Sequence, residues 1–170
     1  MRRLLLLTTL LSFVFSCNSG FAGGKLENTP YSAPKTVYDF YFDHPQHINS
    51  ALYWLRAQIT PLMEDPYNFQ PEDMKIVVII HGTEIASVVT QNYKKYQTAV
   101  DRMRYYASLG VEFRVCGLAA TDYGYSANDF QDFIKLVPSA MADLSYWQQQ
   151  GYGLITPRIL IKQHSIESIR

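Results

Sequence analysis

The sequence predicts an α/β fold of three layers, α/β/α, around a mainly parallel sheet of about five strands. Three observations predict it. KIVVII (Lys75–Ile80) is a nearly continuous aliphatic run, the pattern of a strand buried on both faces of a parallel sheet. The stretches on either side of it repeat apolar residues at helical spacing. Strand-like and helix-like stretches then alternate along the chain, which calls for parallel pairing through right-handed crossovers with helices on both faces.

Each element has its own signal. TVYDFYF (residues 36–42) is β-branched and aromatic, which suits a strand with apolar neighbours on both faces. Asp43 offers an oxygen to cap the following helix, Pro45 fits its first turn, and Gln46 completes a capping box. Ile48, Leu52, Leu55, Ile59 and Leu62 then fall on one helical stripe facing the sheet. Residues 63–73 hold two prolines and several acids and read as a loop or insertion. After KIVVII and His81-Gly82, a second stripe runs through Val89, Tyr93, Tyr96, Val100, Met103 and Ala107 to a C-terminal cap at Gly110. VEFRVC (residues 111–116) alternates, so Glu112, Arg114 and Cys116 share one face, and Gly117 ends the strand. A short helical stretch is expected around residues 123–132, a strand over 134–137, a helix over 140–150 capped by Ser139, and a last strand over 154–156.

The chain begins Met1-Arg2-Arg3 and continues with an uncharged apolar run to Phe15, the order of a secretory signal. The run is shorter than the about 20 residues a membrane-spanning helix needs. Two cleavage readings compete. Gly20-Phe21-Ala22 presents small residues for a signal peptidase and gives a soluble periplasmic protein starting at Gly23. Alternatively, Val14-Phe15-Ser16-Cys17 reads as a lipobox, with Cys17 as the lipidated anchor and Phe15 as its misfit. The expected organisation is a signal peptide over 1–22, a flexible linker over 23–35, one domain over 36–160 and a tail over 161–170. No membrane contact is expected unless Cys17 is lipidated.

Composition narrows the function. The 15 basic residues, less Arg2 and Arg3 of the leader, leave 13 against 15 acidic ones, so no nucleic-acid partner is expected. No GxGxxG, phosphate-loop or GxSxG pattern is present, which removes the usual nucleotide and hydrolase readings. His44 and His47 stand three apart without a third ligand nearby, so no metal site is expected there. Cys116 is the thiol the folded domain keeps under either cleavage, and an unpaired cysteine in an oxidising compartment forms an intermolecular bond, is reactive, or is buried and inert. Ligands of open α/β sheets gather at the carboxyl ends of strands, where both Cys116 and His81 are expected. If their strands are neighbours, the imidazole approaches the thiol and favours its nucleophilic thiolate, with Arg114 as an electrostatic helper if it lies near enough.

KIVVIIHG, the long helix after it, GVEFRVCGLAATDYG and KLVPSAMADLSYWQQQGYGLITP together resemble the DsrE/DsrF-like family, and residues 36–62 fit its first unit. The most specific part is GVEFRVCG with Gly124, VPS and QQGY downstream. The resemblance implies a five-stranded parallel sheet between helices and a homotrimer or homohexamer. It also implies, at Cys116, a cysteine that accepts sulfur as a persulfide from a donor protein and hands it to an acceptor protein, without a cofactor. His81 matches a histidine of the family's HG element. The export signal and the 63–73 insertion depart from the family's cytoplasmic sulfur carriers. The competing reading is a non-catalytic oligomeric module that binds a small ligand and in which the cysteine only packs.

Overall fold

The computed structural model describes residues 23–170, so the leader and Cys17 lie outside the described residues. Five strands pair in the order β4-β3-β2-β1-β5, every pair parallel. They are β1 (Lys35–Phe40), β2 (Lys75–Ile80), β3 (Glu112–Cys116), β4 (Ile134–Val137) and β5 (Gly153–Ile155). Helix α1 (Ile48–Met63) joins β1 to β2, α2 (Tyr93–Ser108) joins β2 to β3, the short α3 (Gly117–Asp122) follows β3, and α4 (Ala140–Gln149) joins β4 to β5.

Two hydrophobic clusters divide the sheet into its faces. Tyr38, Phe40, Ile76, Val78, Ile80, Phe113 and Val115 point towards α1 and α2. All five stripe positions expected of α1 are buried there, with Ala51 beside them. Each fully buried Leu or Ile side chain contributes roughly 1.5–3 kcal/mol, which is why α1 holds its place on the sheet. Val37, Val77, Ile79 and Cys116 point the other way and meet Ala140 and Leu144 of α4. The second layer is much the thinner.

The strand order explains that division. The chain steps from β1 to β4 in one direction, then returns across the sheet to place β5 outside β1. Right-handed crossovers running in opposite directions put their helices on opposite faces. The segments leaving β3 and β4 therefore part company: α3 sends Ala120 into the core on the α1 and α2 side, while α4 covers the other face.

Several local expectations are corrected. The cap of the first helical segment is His44, whose ring Nδ1 accepts the Gln46 N–H at 3.2 Å. Asp43 instead contacts the His47 ring at 3.1 Å. Two 3-10 turns, Thr83–Val88 and Thr90–Asn92, precede α2, which starts at Tyr93. Gly117 ends β3 and at once opens α3, so the helical stretch expected around 123–132 lies earlier, followed by a 3-10 turn at Ala127–Asp129. Gly110 does close the α2 segment, at φ +92°, a backbone conformation that costs glycine nothing. Within the segment read as a linker, Tyr31 packs against Tyr67 with ring centroids 5.2 Å apart.

Candidate functional site

β2 and β3 are neighbours, and their register, Ile79↔Arg114 and Ile80↔Val115, carries on to set His81 beside Cys116. The β1–β2 register likewise sets Tyr41 beside His81. Tyr41, His81 and Cys116 thus form one row at the carboxyl ends of three strands. By strand alternation they face the α4 side, as Ile79 and Cys116 are seen to do. The row is the site.

His81 is held firmly, but by β1. Its Nε2 lies 2.6 Å from Asp39 Oδ1, with 13% of the histidine side chain and 21% of the aspartate side chain exposed. Asp39 Oδ2 also accepts from the Thr156 hydroxyl at 3.4 Å. Tyr41, 69% exposed, stacks on the imidazole at 4.9 Å and 15°. A carboxylate only accepts, so Nε2 carries the proton and Nδ1 keeps the lone pair in the neutral ring. Among the described residues no hydrogen bond joins His81 to Cys116. The register makes them neighbours, and the ring is turned towards Asp39.

Cys116 sits in the fork between α3 and α4. The residue is 6% exposed and packs in the cluster with Val77, Ile79, Ala140 and Leu144. The first N–H of α4, that of Ala140, donates to Cys116 Sγ at 3.3 Å. Ser139 occupies the cap position of α4 as expected, yet its hydroxyl makes no capping bond, and the Cys116 sulfur meets the first free N–H of the helix instead. An N–H at a helix N-terminus favours negative charge on the atom it faces. Gly117 lets β3 and β4 close up here, because a Cβ on it would lie 2.8 Å from the Val137 carbonyl oxygen.

Arg114 is not free to help. It shares the face of Cys116, but its Nε and Nη2 bind Asp143 of α4 at 2.7 and 3.1 Å, and its Nη1 binds Glu112 at 3.0 Å. Trp147 lies beneath the guanidinium at 5.3 Å. Burial opposes the charge, and these two carboxylates outweigh it, so the Arg114 pKa is raised. Its role is to tie α4 to β3. Among the described residues no group of three potential ligands could hold a metal, and the His44 and His47 rings stand 5.8 Å apart.

Two further residues shape the site without having been expected there. Asp39 had a signal, being the one acid in an otherwise β-branched and aromatic strand. Glu84 had none: it is fully buried and binds the backbone around His81.

No curated protein matches the chain. Its fold resembles the solved structure of a protein of unknown function from Methanobacterium thermoautotrophicum, with a TM-score of 0.59 and 15% identity over 73% of this chain and 99% of that one. At that identity the likeness concerns the fold alone. The sequence model of the DsrE/DsrF-like family matches residues 44–157, a span that holds His81, Cys116 and the start of α4. With a five-stranded parallel sheet and its fork at Cys116, the chain belongs to the DsrE/DsrF-like family.

Proposed function

We propose that this protein is a periplasmic sulfur carrier in which Cys116 accepts sulfur as a persulfide and passes it on. Family membership points to a role of the sulfur-relay type. The observation that carries the reading is the Ala140 N–H aimed at the Cys116 sulfur, at the point of the sheet where the chain leaves β3 and β4 towards opposite faces. Open α/β sheets bind their ligands at such points. The basic and apolar leader supports export.

The chemistry needs no cofactor. The Cys116 thiol gives up its proton, to solvent or through it to His81 Nδ1 at the neighbouring strand end, and the thiolate attacks the outer sulfur of a sulfane donor. A bond forms between Sγ and that sulfur, the donor's own bond to it breaks, and the leaving thiolate or sulfite departs with the electron pair. An acceptor thiolate then attacks the outer sulfur and releases Cys116 as thiolate. Asp39 fixes the histidine tautomer throughout. The family resemblance supports a homotrimer or homohexamer as the working form, and exposed Leu136, Met141 and Leu154 supply apolar surface for it.

One observation favours the other reading, a non-catalytic oligomeric module that binds a small ligand: Cys116 is buried. Intact mass spectrometry separates the two. After incubation of the mature protein with thiosulfate or polysulfide, the carrier gains one sulfur, loses it to reductant, and gains none as Cys116→Ser. No gain in the wild-type protein would replace the carrier by the binding module.

A further inference from the structure

Glu84 lies in the 3-10 turn after β2 with none of its surface exposed. Burying a carboxylate is costly unless its charge is met, and among the described residues no cation pairs with it. Backbone donors meet it instead. Oε1 accepts the N–H of Gly82 at 2.8 Å and of His81 at 3.2 Å, and Oε2 accepts the N–H of Phe42 at 2.9 Å. Burial pushes the carboxyl up from its ordinary pKa, and the N–H groups of Gly82, Phe42 and His81 pull it back in part.

These three donors are not scattered. They belong to the residues where β1 and β2 run out, directly around the row of Tyr41, His81 and Cys116. The His81 N–H also reaches the Phe40 carbonyl at 3.1 Å, and the Thr83 N–H and hydroxyl bind the Phe42 carbonyl at 3.1 and 3.0 Å. Gly82 completes the fit: a Cβ on it would stand 2.5 Å from Glu84 Oε2 and 2.6 Å from both Phe42 N and O. The close approach of the carboxylate and of the Phe42 backbone therefore requires glycine at 82.

We infer that Glu84 is a positioning residue for His81, clamping the ends of β1 and β2 so that the imidazole lies between Asp39 and Tyr41 in the row with Cys116. The inference rests on the reading of His81 as the partner of Cys116, and it adds a residue that acts through the backbone rather than by touching sulfur. Glutamine cannot replace it. Its carbonyl can serve Gly82 and His81, but its amide then sets a donor against the Phe42 N–H.

The deciding measurement is imidazole NMR on the histidine-labelled mature protein, with His81 assigned through His81→Gln. In Glu84→Gln the His81 ring signals are expected to move to the positions they take in Asp39→Asn, marking loss of the Nε2 contact. Native alkylation of Cys116 by iodoacetamide is expected to change about as much in Glu84→Gln as in His81→Gln, with no further change in the double variant. Ring signals that stay at their wild-type positions would overturn the inference, as would single effects that multiply in the double variant. If Glu84→Gln does not fold, Glu84→Asp, which keeps a carboxylate but is one methylene too short to hold Phe42, Gly82 and His81 together, carries the same expectations. Should the wild-type protein take up no sulfur while Glu84 still governs the His81 signals, the carrier reading falls and this inference stands.

Discussion

One neighbour of the site is set by a single atom. Gly117 is glycine because the backbone of β4 occupies the space a side chain would need, with the Val137 oxygen 2.8 Å from the position of a Cβ. A carbonyl in a sheet ladder cannot swing away as a flexible side chain would, so Gly117→Ala has to push β4 outward. The expected loss is about 1–3 kcal/mol, the ordinary range for overpacking, read as a lower urea midpoint with an unchanged slope. An unchanged midpoint would mean that the β3–β4 junction is looser than its geometry. Gly117 ends β3, as its place after VEFRVC suggests; what a local reading does not show is that it also permits the approach of β4 and that the chain turns straight into α3.

At the scale of elements, the salt-bridge network on the α4 side joins three of them. Glu112 of β3 holds Lys135 of β4 at 2.8 Å and Arg114 at 3.0 Å, and Arg114 reaches Asp143 of α4. Burial works to raise the Glu112 pKa, but the hydrogen bonds and charges of Lys135 and Arg114 outweigh it and hold it below 4.5. A depressed carboxyl contributes stability above its unfolded pKa and loses that contribution as pH falls through its folded one. The stability difference between wild type and Glu112→Gln should therefore be constant above pH 4.5 and shrink below it. A constant difference down to pH 3 would remove Glu112 from the pH response. Glu84, raised by burial, acts in the opposite sense above 4.5, which is why the comparison is made between these two proteins rather than on the wild type alone.

The elements also show what a linear reading can reach. Periodicity placed the α1 stripe, the buried β2 run and the shared face of Glu112, Arg114 and Cys116, because each of these is a local pattern that the fold preserves. It could not show that Arg114 is engaged 29 residues away by Asp143, or that the sulfur of Cys116 accepts the first N–H of α4. Those contacts depend on strand order and on how α4 lies across the sheet. Asp43 and His44 illustrate the same limit at short range. Both can cap the first helical segment, and the choice falls to His44 once Asp43 has taken the ring of His47. Glu84 left no trace at all, since its partners are backbone groups of a strand some forty residues earlier and of its own turn.

For the whole molecule, the unequal thickness of the two outer layers decides how a buried thiol becomes available. The α1 and α2 side rests on a large continuous core, whereas α4, ten residues long, is held chiefly by a small cluster around Val37, Val77, Ile79 and Leu144 and by the Arg114–Asp143 pair. Proteins open locally where the buried apolar contacts are fewest. The start of α4 is therefore expected to detach from Cys116 while the sheet and its other face stay folded. Amide hydrogens of residues 140–149 should exchange faster than those of β1, β2 and β3. Cys116 alkylation should follow the α4 amides and depend only weakly on low urea, because little surface is exposed in such an opening. Labelling that instead carries the full denaturant slope of unfolding would mean that the thiol is reached only when the whole domain comes apart. A donor could not use that route, and the balance would shift to the binding module.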